Sequence, residues 1–579
     1  MKKILYLLTC LAAALASLPS DACTNVIVSK GASANGSVLV SYAADSHMLF
    51  GELYFHKAAR WKKGAMLSVS EWDTGRPLTE IPQPAETYKT IGNMNEHQLI
   101  IGETTYGGRE ELMQEDGLID YGSLIYITLQ RARTAREAIA TIVELADTYG
   151  YCSEGESFSI ADREEAWVMD LIGRGDTGKG IVYVAMRVPD GAICAHANQS
   201  RIGRFPLDDP ENCLYAEDVI SLARSKGWFS GEDKDFSFRD AYCPADFGTI
   251  RGCDARAWSA FNILTKGSFH YIGEDGEMIA CDSYRFFDYA SGMNPSNPFP
   301  LFVYPEEKVT VKQVADVMRD HYEGTPMDMT KDIGAGGNAL PYRWRPMEFK
   351  VNDTTYVNER AIATQQTGFW FVAEARGWLP EEVGGIFWFG TDDAATSYLT
   401  PIYTVTSKVP ECFREGNGNI LTYSPTASFW INNRVANACY KAYNIMAPTV
   451  VEAANAFEND QIFRATREAD STAVAMLSRS LWHGLAVRRI NRYLTRYTVE
   501  TAQRQFEAWK KLEELLLVKF IDGNVKDQNP DGSFITGEYS DRMPAKIGWP
   551  GYTDIWKKAV ASDPHGEFLK VPEALPEEE

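Results

Sequence analysis

The sequence lacks the features that identify several large classes of protein. Positive charge is scarce, with 57 Lys and Arg against 79 Asp and Glu, and the formal net charge of −22 argues against nucleic acid or an anionic membrane surface as a partner. After the first residues, no apolar run is long enough to span a bilayer. The 579 residues contain no Cys-x-x-Cys pair and no His-Glu-x-x-His motif, so neither a zinc knuckle nor a metalloprotease centre is predicted.

The N-terminus, by contrast, has the pattern of a cleavable secretory signal peptide. Two lysines precede an apolar run over residues 4–18, and the small residues Ser20 and Ala22 complete a cleavage site. Cleavage after Ala22 would make Cys23 the first residue of the mature protein. We therefore predict that residues 1–22 are removed and that the protein is exported, either to a periplasm or out of the cell.

A cysteine in first position would carry a nucleophile and a base in one residue. Its thiol reacts as the thiolate and has a pKa of about 8.5, and a free α-amino group with a pKa of about 7.7–8 can accept that proton. Two other interpretations of Cys23 stay open. It would suit a lipid anchor, although Ser20-Asp21-Ala22 lacks the leucine normally found three residues before a lipidated cysteine, or it would be an ordinary half-cystine.

Eight more cysteines follow Cys23, which is an even number in an oxidising compartment. This count predicts some disulfides, although their pairing does not follow from the sequence. The eight are Cys152, Cys194, Cys213, Cys243, Cys253, Cys281, Cys412 and Cys439.

Short β-branched and alternating runs predict antiparallel hairpins. Residues 26–28 and 37–42 flank an Asn-Gly turn, and paired runs over residues 158–170 and 181–198 predict two more hairpins. Hairpins mixed with helices favour an α+β fold with antiparallel sheets under helical cover. The tail from residue 525 is predicted to be irregular and solvated. Helical periodicity is found over residues 121–149, 449–463, 471–494 and 499–520.

A series of motifs begins at the predicted mature N-terminus. Residues 23–37 read Cys-Thr-x-x-x-Val-x-Lys-x-Ala-Ser-x-x-Gly-Ser, and Asp45 follows the second predicted strand. Together with further motifs, they resemble the cysteine dipeptidases of the dipeptidase A/secernin type, which are N-terminal nucleophile hydrolases distantly related to penicillin V acylases and bile salt hydrolases. The resemblance covers essentially the whole mature chain. The further motifs occupy, in order, residues 103–109, 195–199, 358–368 and 388–393.

This resemblance implies a four-layer αββα sandwich, in which two antiparallel sheets pack face to face between helical layers. We expect a catalytic domain over residues 23–426 and a mainly helical C-terminal extension over residues 427–579 packed on it. The implied reaction is hydrolysis of the amide bond of dipeptides through a thioester on Cys23, with small peptides as substrates and no metal or organic cofactor. A homo-oligomer is compatible with the sequence, which does not determine the oligomeric state.

The resemblance also implies catalytic roles, position by position. Cys23 matches the nucleophile, and Asp45 matches the acidic residue that orients the N-terminal amine. Asn198 falls where the acylase relatives place an asparagine against the scissile amide, so its side chain is a candidate donor to the oxyanion. Thr105 falls where those relatives carry an oxyanion-hole asparagine. A turn-capping Asp45 and a strand-end Asn198 that satisfies backbone groups are the structural alternatives.

Four residues are candidates for substrate binding: Tyr42, Glu103, Thr104 and Arg256. Many relatives have an arginine three residues before the Asp, where this chain has Tyr42. Either the Tyr42 hydroxyl takes that role or an arginine enters from elsewhere, and Arg251 and Arg256 are the two candidates. Surface ion pairs are the alternative for both arginines in so acidic a protein.

Other functions remain open at this point. The same chemistry would suit an amidase or acylase of the penicillin V acylase or bile salt hydrolase type. A papain-like mechanism would need His47 or His196 to reach Cys23. A lipid-anchored binding protein belongs to a different class, because Cys23 would then be an anchor and not a nucleophile.

Overall fold

The computed structural model of the protein describes residues 23–480 and 482–572, so the predicted signal peptide over residues 1–22 lies outside the described residues. The chain contains both helices and antiparallel strands, and two large sheets form its centre. The predicted α+β class is therefore confirmed.

The larger sheet has nine strands, and the strand that follows Cys23 is in its middle. Thr24–Val28 pairs antiparallel with Val38–Asp45 on one side and with Ile193–His196 on the other. The hairpin predicted from the Asn-Gly turn is thus confirmed. Across the sheet the strands are Met278–Asp282, Ser268–Ile272, Phe302–Pro305, Ile193–His196, Thr24–Val28, Val38–Asp45, Thr367–Ala375, Gly385–Thr391 and Thr400–Tyr403.

The smaller sheet has eight strands and includes the second predicted hairpin, formed by Gly155–Ala161 and Ala166–Gly173. Its strands, in order, are Cys213–Tyr215, Ile181–Arg187, Ala166–Gly173, Gly155–Ala161, Ile100–Tyr106, Met94–Asn95, Thr90–Ile91 and Phe55–His56. Two-stranded ribbons lie outside both sheets. They pair Ala59–Arg60 with Glu86–Thr87, Met66–Ser70 with Pro77–Pro82, Glu348–Val351 with Thr354–Val357, Val525–Lys526 with Ile547–Gly548, and Thr536–Gly537 with Ser540–Pro544.

Alternating residues of the larger sheet enter two different apolar clusters, because successive side chains of a strand point to opposite faces. Val40 and Phe371 pack in one buried cluster with Val168 of the smaller sheet. Their strand neighbours Leu39 and Trp370 belong to a second cluster with the helices behind the larger sheet. The aromatic residues over 369–371 and 387–389 therefore belong to the core.

Helices cover the outer faces of the two sheets. Tyr121–Leu129 and Ala135–Tyr149 pack on the smaller sheet in a third apolar cluster, and Ala255–Leu264 and Val311–Val317 pack on the larger one. The other α-helices are Val219–Ser225, Phe238–Tyr242, Phe247–Thr249, Phe287–Ala290, Glu381–Gly384, Ser428–Cys439, Tyr443–Asp460, Thr466–Ser478, His483–Phe520 and Asp554–Ser562.

The hairpin predicted over residues 181–198 is wrong. Ile181–Arg187 pairs within the smaller sheet, whereas Ile193–His196 pairs with Thr24–Val28 in the larger one. The Pro-Asp-Gly segment between them therefore crosses from one sheet to the other. Turn chemistry predicts a reversal of direction, but the choice of partner strand depends on packing between distant parts of the chain.

Helix boundaries also differ from the predictions. The helix predicted over residues 121–149 is two helices, because Thr134 caps the second one by accepting a hydrogen bond from the Glu137 backbone N–H. The boundary between the helices predicted over residues 471–494 and 499–520 lies earlier than predicted. One helix ends at Ser478, and His483–Phe520 is one continuous helix of 38 residues. The tail from residue 525 is not irregular throughout, since it forms the short ribbons and the Asp554–Ser562 helix.

The predicted disulfides are absent from the described part of the chain. All nine cysteines described there are free, and eight of them, Cys23 among them, are buried while Cys152 is half-buried. They behave as small apolar side chains of the core. No helix within residues 23–480 and 482–572 is both long and apolar enough to cross a membrane.

Candidate active site

The position of Cys23 follows from the register of the central strand. Asn25 pairs with Tyr42 on one neighbouring strand and with His196 on the other. Continuing that antiparallel register by two residues places Asn198 opposite Cys23 and brings Asp45 just beyond it. Cys23 is 7% exposed. Local strand pairing therefore gathers three of the predicted site residues at one end of the sheet.

The Cys23 thiol has neighbours from both sheets. Its Sγ is 3.6 Å from the Tyr42 hydroxyl oxygen and 3.6 Å from Glu103 Oε1. The Tyr42 hydroxyl also donates a hydrogen bond to Glu103 Oε1. Since Tyr42 belongs to the larger sheet and Glu103 to the smaller one, the thiol lies where the two sheets meet.

The environment of the thiol favours its neutral form. Burial raises the pKa of the Cys23 thiol well above its usual range, and the negative charges of Glu103 and Asp45 act in the same direction. Hydrogen bonds from the Asp45 backbone and from Tyr42 oppose this rise without cancelling it. This environment favours the thiol, so a base beside it would be needed to form a thiolate.

The Asp45 carboxylate is fixed by two donors from distant segments. Arg360 Nη2 donates to Oδ2 at 2.7 Å, and the Thr367 hydroxyl donates to Oδ1 at 2.6 Å. Burial raises the pKa of Asp45 to about 6, with the charge of Arg360 and the Thr367 hydrogen bond acting against it. Asp45 is thus a buried carboxylate at a strand bulge, and it is ion-paired with Arg360 instead of only capping a turn.

Arg256 lies beneath the Cys23 backbone with its side chain fully buried. All five of its N–H groups donate hydrogen bonds within the protein, so the surface ion-pair interpretation is wrong for Arg256. The acceptors are the Cys23 carbonyl at 2.6 Å, the Thr24 hydroxyl at 2.9 Å, the Gly252 carbonyl at 2.9 Å, the Ala197 carbonyl at 3.3 Å and Asn198 Oδ1 at 2.8 Å.

The second candidate arginine has a different neighbourhood. Arg251 pairs with Glu359 and donates to the Ser291 carbonyl at 3.0 Å. Of the two arginines, Arg256 is therefore the one that reaches Cys23. The structure also combines the two alternatives for the missing arginine, because the Tyr42 hydroxyl contacts the thiol while Arg256 holds the Cys23 carbonyl.

Asn198 and Thr105 are joined to each other and to this network. Asn198 Nδ2 donates to the Thr105 carbonyl at 2.6 Å, while its Oδ1 accepts from Arg256. Asn198 has a φ of 56°, a left-handed conformation that asparagine tolerates better than most residues. The Thr105 hydroxyl donates to Glu156 Oε1 at 2.7 Å, so its single proton is already used.

Neither candidate histidine is bonded to the thiol. His196 is buried between Thr104 and Ser159, whose hydroxyl oxygens lie 2.7 Å from Nδ1 and 2.7 Å from Nε2 respectively. Burial lowers the pKa of His196 to about 3, so its ring is neutral at ordinary pH. His47 is exposed and lies 3.4 Å from Arg345 Nε. The hydroxyl of Thr104, a predicted substrate-binding residue, is hydrogen-bonded to His196.

Three residues of the site were missed in the sequence: Arg360, Thr367 and Glu156. Arg360 and Thr367 lie within the motif over residues 358–368, so the signal for them was present but carried no assigned role. Glu156 is a charged residue inside a buried strand, and that unusual placement was its only signal. Within residues 23–480 and 482–572, no group of three or more His, Cys, Asp or Glu side chains is arranged to hold a metal ion.

Comparison with known proteins adds an independent finding. The sequence model of Peptidase family C69 matches residues 22–456, a span that includes every residue of the site described above. The chain is 22% identical over 408 residues to a "Probable dipeptidase" of Salmonella dublin, which covers 66% of this chain and 81% of that protein.

Two relatives from other bacteria show similar coverage. A "Probable dipeptidase B" of Lactococcus lactis is 22% identical over 453 residues, covering 75% of this chain and 84% of the relative. A "Probable dipeptidase A" of Streptococcus pyogenes serotype M1 is 24% identical over 459 residues, covering 73% of this chain and 82% of the relative.

Proposed function

The chain belongs to peptidase family C69, and we propose that it is a dipeptidase that cleaves its substrates through a thioester on Cys23. The observation that carries this proposal is the placement of the Cys23 thiol at the start of a central strand, 3.6 Å from both the Tyr42 hydroxyl and Glu103 Oε1. Among the described residues, no histidine is hydrogen-bonded to it. A buried thiol without an imidazole partner needs another base. The α-amino group of Cys23 is the nearest one that signal cleavage would provide.

The proposed reaction proceeds in two steps. The α-amine of Cys23 takes the thiol proton, and the thiolate attacks the scissile carbonyl carbon to give a tetrahedral oxyanion. The ammonium then returns the proton to the leaving nitrogen, the C–N bond breaks, and the first product departs as an amine. Water, deprotonated by the same amine, attacks the thioester; the C–S bond breaks, the second product leaves as an acid, and the ammonium returns its proton to the Cys23 sulfur.

The surrounding residues position this chemistry. Arg256 donates hydrogen bonds to both the Cys23 carbonyl and Asn198 Oδ1, which orients the Asn198 amide. The second N–H of that amide is the candidate oxyanion donor, and removal of such a donor typically costs about 3 kcal/mol of transition-state stabilisation. Asp45, fixed by Arg360, places a negative charge beside Cys23 that stabilises the charged form of its amine.

The proposal extends to the architecture and the location of the protein. We place the two sheets and their helical covers in the αββα arrangement of N-terminal nucleophile hydrolases, with residues 23–426 as the catalytic domain. In this proposal residues 427–579 form an extension, whose helix His483–Phe520 contacts the sheet through hydrogen bonds between Gln505 and residues 399–400. Removal of residues 1–22 would accompany export.

The decisive experiment compares two forms of the chain. Protein beginning at Cys23 should hydrolyse dipeptides, whereas protein that retains residues ahead of Cys23 should be folded and inactive, because an amide nitrogen takes no proton near neutral pH. Trimming the extension should restore activity, and Cys23→Ala in the trimmed form is the inactive control. Full activity of an extended, unprocessed chain would refute the N-terminal nucleophile mechanism.

The choice of substrates and the mature N-terminus separate the alternatives. A panel of dipeptides and N-acyl amino acids distinguishes a dipeptidase from an acylase, since an acylase would prefer the second set. Mass spectrometry of the exported protein separates an enzyme with a free Cys23 from a lipid-anchored binding protein, in which Cys23 would carry a diacylglyceryl group.

A further inference from the structure

Two carboxyl groups lie buried together beside the Cys23 thiol. Glu103 is 2% exposed and Glu156 is fully buried. One oxygen of each has a donor, since Glu103 Oε1 accepts from Tyr42 and Glu156 Oε1 accepts from Thr105. Neither Oε2 atom accepts a hydrogen bond from a donor group of the other described residues. Neither carboxyl forms an ion pair with a cationic side chain in the described part of the chain.

Two other buried acids near the site, Asp45 and Asp170, have more partners. Asp45 pairs with Arg360, and Asp170 accepts hydrogen bonds from two serine hydroxyls and two backbone N–H groups. A buried carboxylate without a cation costs several kcal/mol, so an unpaired one beside a nucleophile calls for an explanation. The Glu103 and Glu156 pair has no such set of partners, and Glu103 lies 3.6 Å from the reacting sulfur.

The two carboxyl groups titrate together. Burial raises the pKa of Glu156 well above its ordinary value, and the charge of Glu103 raises it further. Both effects favour a proton on Glu156, so Glu103 is the member of the pair that carries the negative charge. That charge matches one cation of the size of an ammonium group.

We propose that Glu103, supported by Glu156, binds the free α-ammonium group of the substrate and so restricts the enzyme to peptides with an unblocked N-terminus. This inference rests on the proposed function and deepens it, because it names the group by which a dipeptide is recognised. The Glu103 carboxylate accepts hydrogen bonds from the ammonium, and the proton on Glu156 keeps that carboxyl group neutral.

The distances suit this role. In an amino acid the α-nitrogen is about 2.5 Å from its own carbonyl carbon. Attack by Sγ brings that carbon to about 3–3.5 Å from the sulfur. Glu103 Oε1 is itself 3.6 Å from Sγ, so an ammonium next to the scissile carbonyl can lie within hydrogen-bonding range of this carboxylate. An N-acyl group brings no charge and leaves the pair without its cation.

The test uses two substrates that differ only in the amine. L-leucylglycine carries the α-ammonium, and 4-methylpentanoylglycine is the same molecule without it. We expect wild-type kcat/KM to be at least 100-fold higher for the dipeptide, since a site built to bind a polar group strongly rejects an analogue that lacks it. Glu103→Gln keeps the shape and the Tyr42 hydrogen bond, and it should lower kcat/KM for the dipeptide at least 100-fold while changing that for the analogue less than threefold.

Two further variants complete the design. Glu110→Gln, at an exposed acid shortly after the same strand, is the matched control and should leave both values unchanged. If Glu103→Gln does not fold, Glu103→Asp withdraws the carboxylate by one methylene and should raise KM for the dipeptide at least tenfold without affecting the analogue.

Each contrary outcome has a distinct meaning. An equal loss on both substrates would overturn the inference, because Glu103 would then serve the amine or thiol of Cys23 itself. Unchanged activity on both would overturn it as well. A wild-type enzyme that cleaves only the analogue, or neither compound, would refute the proposed dipeptidase function, and the inference would fall with it.

Discussion

Replacement of Arg256 by lysine tests how the structure holds Cys23. The guanidinium spans the Cys23 carbonyl and Asn198 Oδ1 from one fully buried position. Lysine keeps the charge but has a single nitrogen, which cannot reach both acceptors. At least two buried acceptors would lose their donor, and each such loss costs about 1–3 kcal/mol, so the free energy of unfolding should fall by about 2–6 kcal/mol.

Activity should fall together with stability in Arg256→Lys. A displaced Cys23 carbonyl and a reoriented Asn198 amide would misplace the reacting groups, and a shift of about 1 Å can cost about 100-fold in rate. Because Arg256 has no N–H left for a substrate, the loss should appear in kcat and not mainly in KM.

The assays are urea unfolding followed by circular dichroism and dipeptide hydrolysis under saturating substrate. Arg251→Lys is the matched control, since Arg251 lies five residues earlier and can keep its partly exposed pair with Glu359 as lysine. That change should cost about 1 kcal/mol or less. An Arg256→Lys protein of unaltered stability whose KM alone rises would refute the positioning role and support direct binding of the substrate carboxylate.

Two more predictions concern the groups around the thiol. Because the pKa of Asp45 is raised to about 6, its carboxylate takes a proton below that pH and its pairing with Arg360 is lost. We therefore expect kcat to fall as the pH drops through about 6. A pH profile of Asp45→Asn that kept this step would contradict the assignment. His47→Ala should retain nearly full kcat/KM for dipeptides, because the ring is exposed and the base comes from elsewhere, whereas a loss above 100-fold would restore the Cys-His mechanism.

Much of the site could be predicted from local sequence. The Asn-Gly hairpin returns Asp45 to the end of the strand at which Cys23 begins, and the period of two in a strand makes that return predictable from about twenty residues. The order of the motifs along the chain is enough to indicate the family. Strong strand and helix periodicity likewise placed the central elements, since burial of one face is encoded in the neighbouring residues themselves.

The tertiary structure decided which distant residues meet these local ones. Arg256 and Glu103 reach Cys23 across 233 and 80 residues of chain, and no local pattern distinguishes Arg256 from Arg251, which lies in the same segment and pairs with Glu359. His196 looked like a candidate base in sequence, but burial between two hydroxyl groups makes it a neutral link between the sheets.

The same division explains the failed hairpin. A Pro-Asp-Gly turn specifies a change of direction, and it does so whether the next strand joins its predecessor or another sheet. The partner is selected by the free energy of packing both sheets at once, which depends on contacts between residues far apart in the chain. Local sequence therefore predicts the candidate nucleophile and its immediate neighbours, while long-range packing determines the charges that surround it.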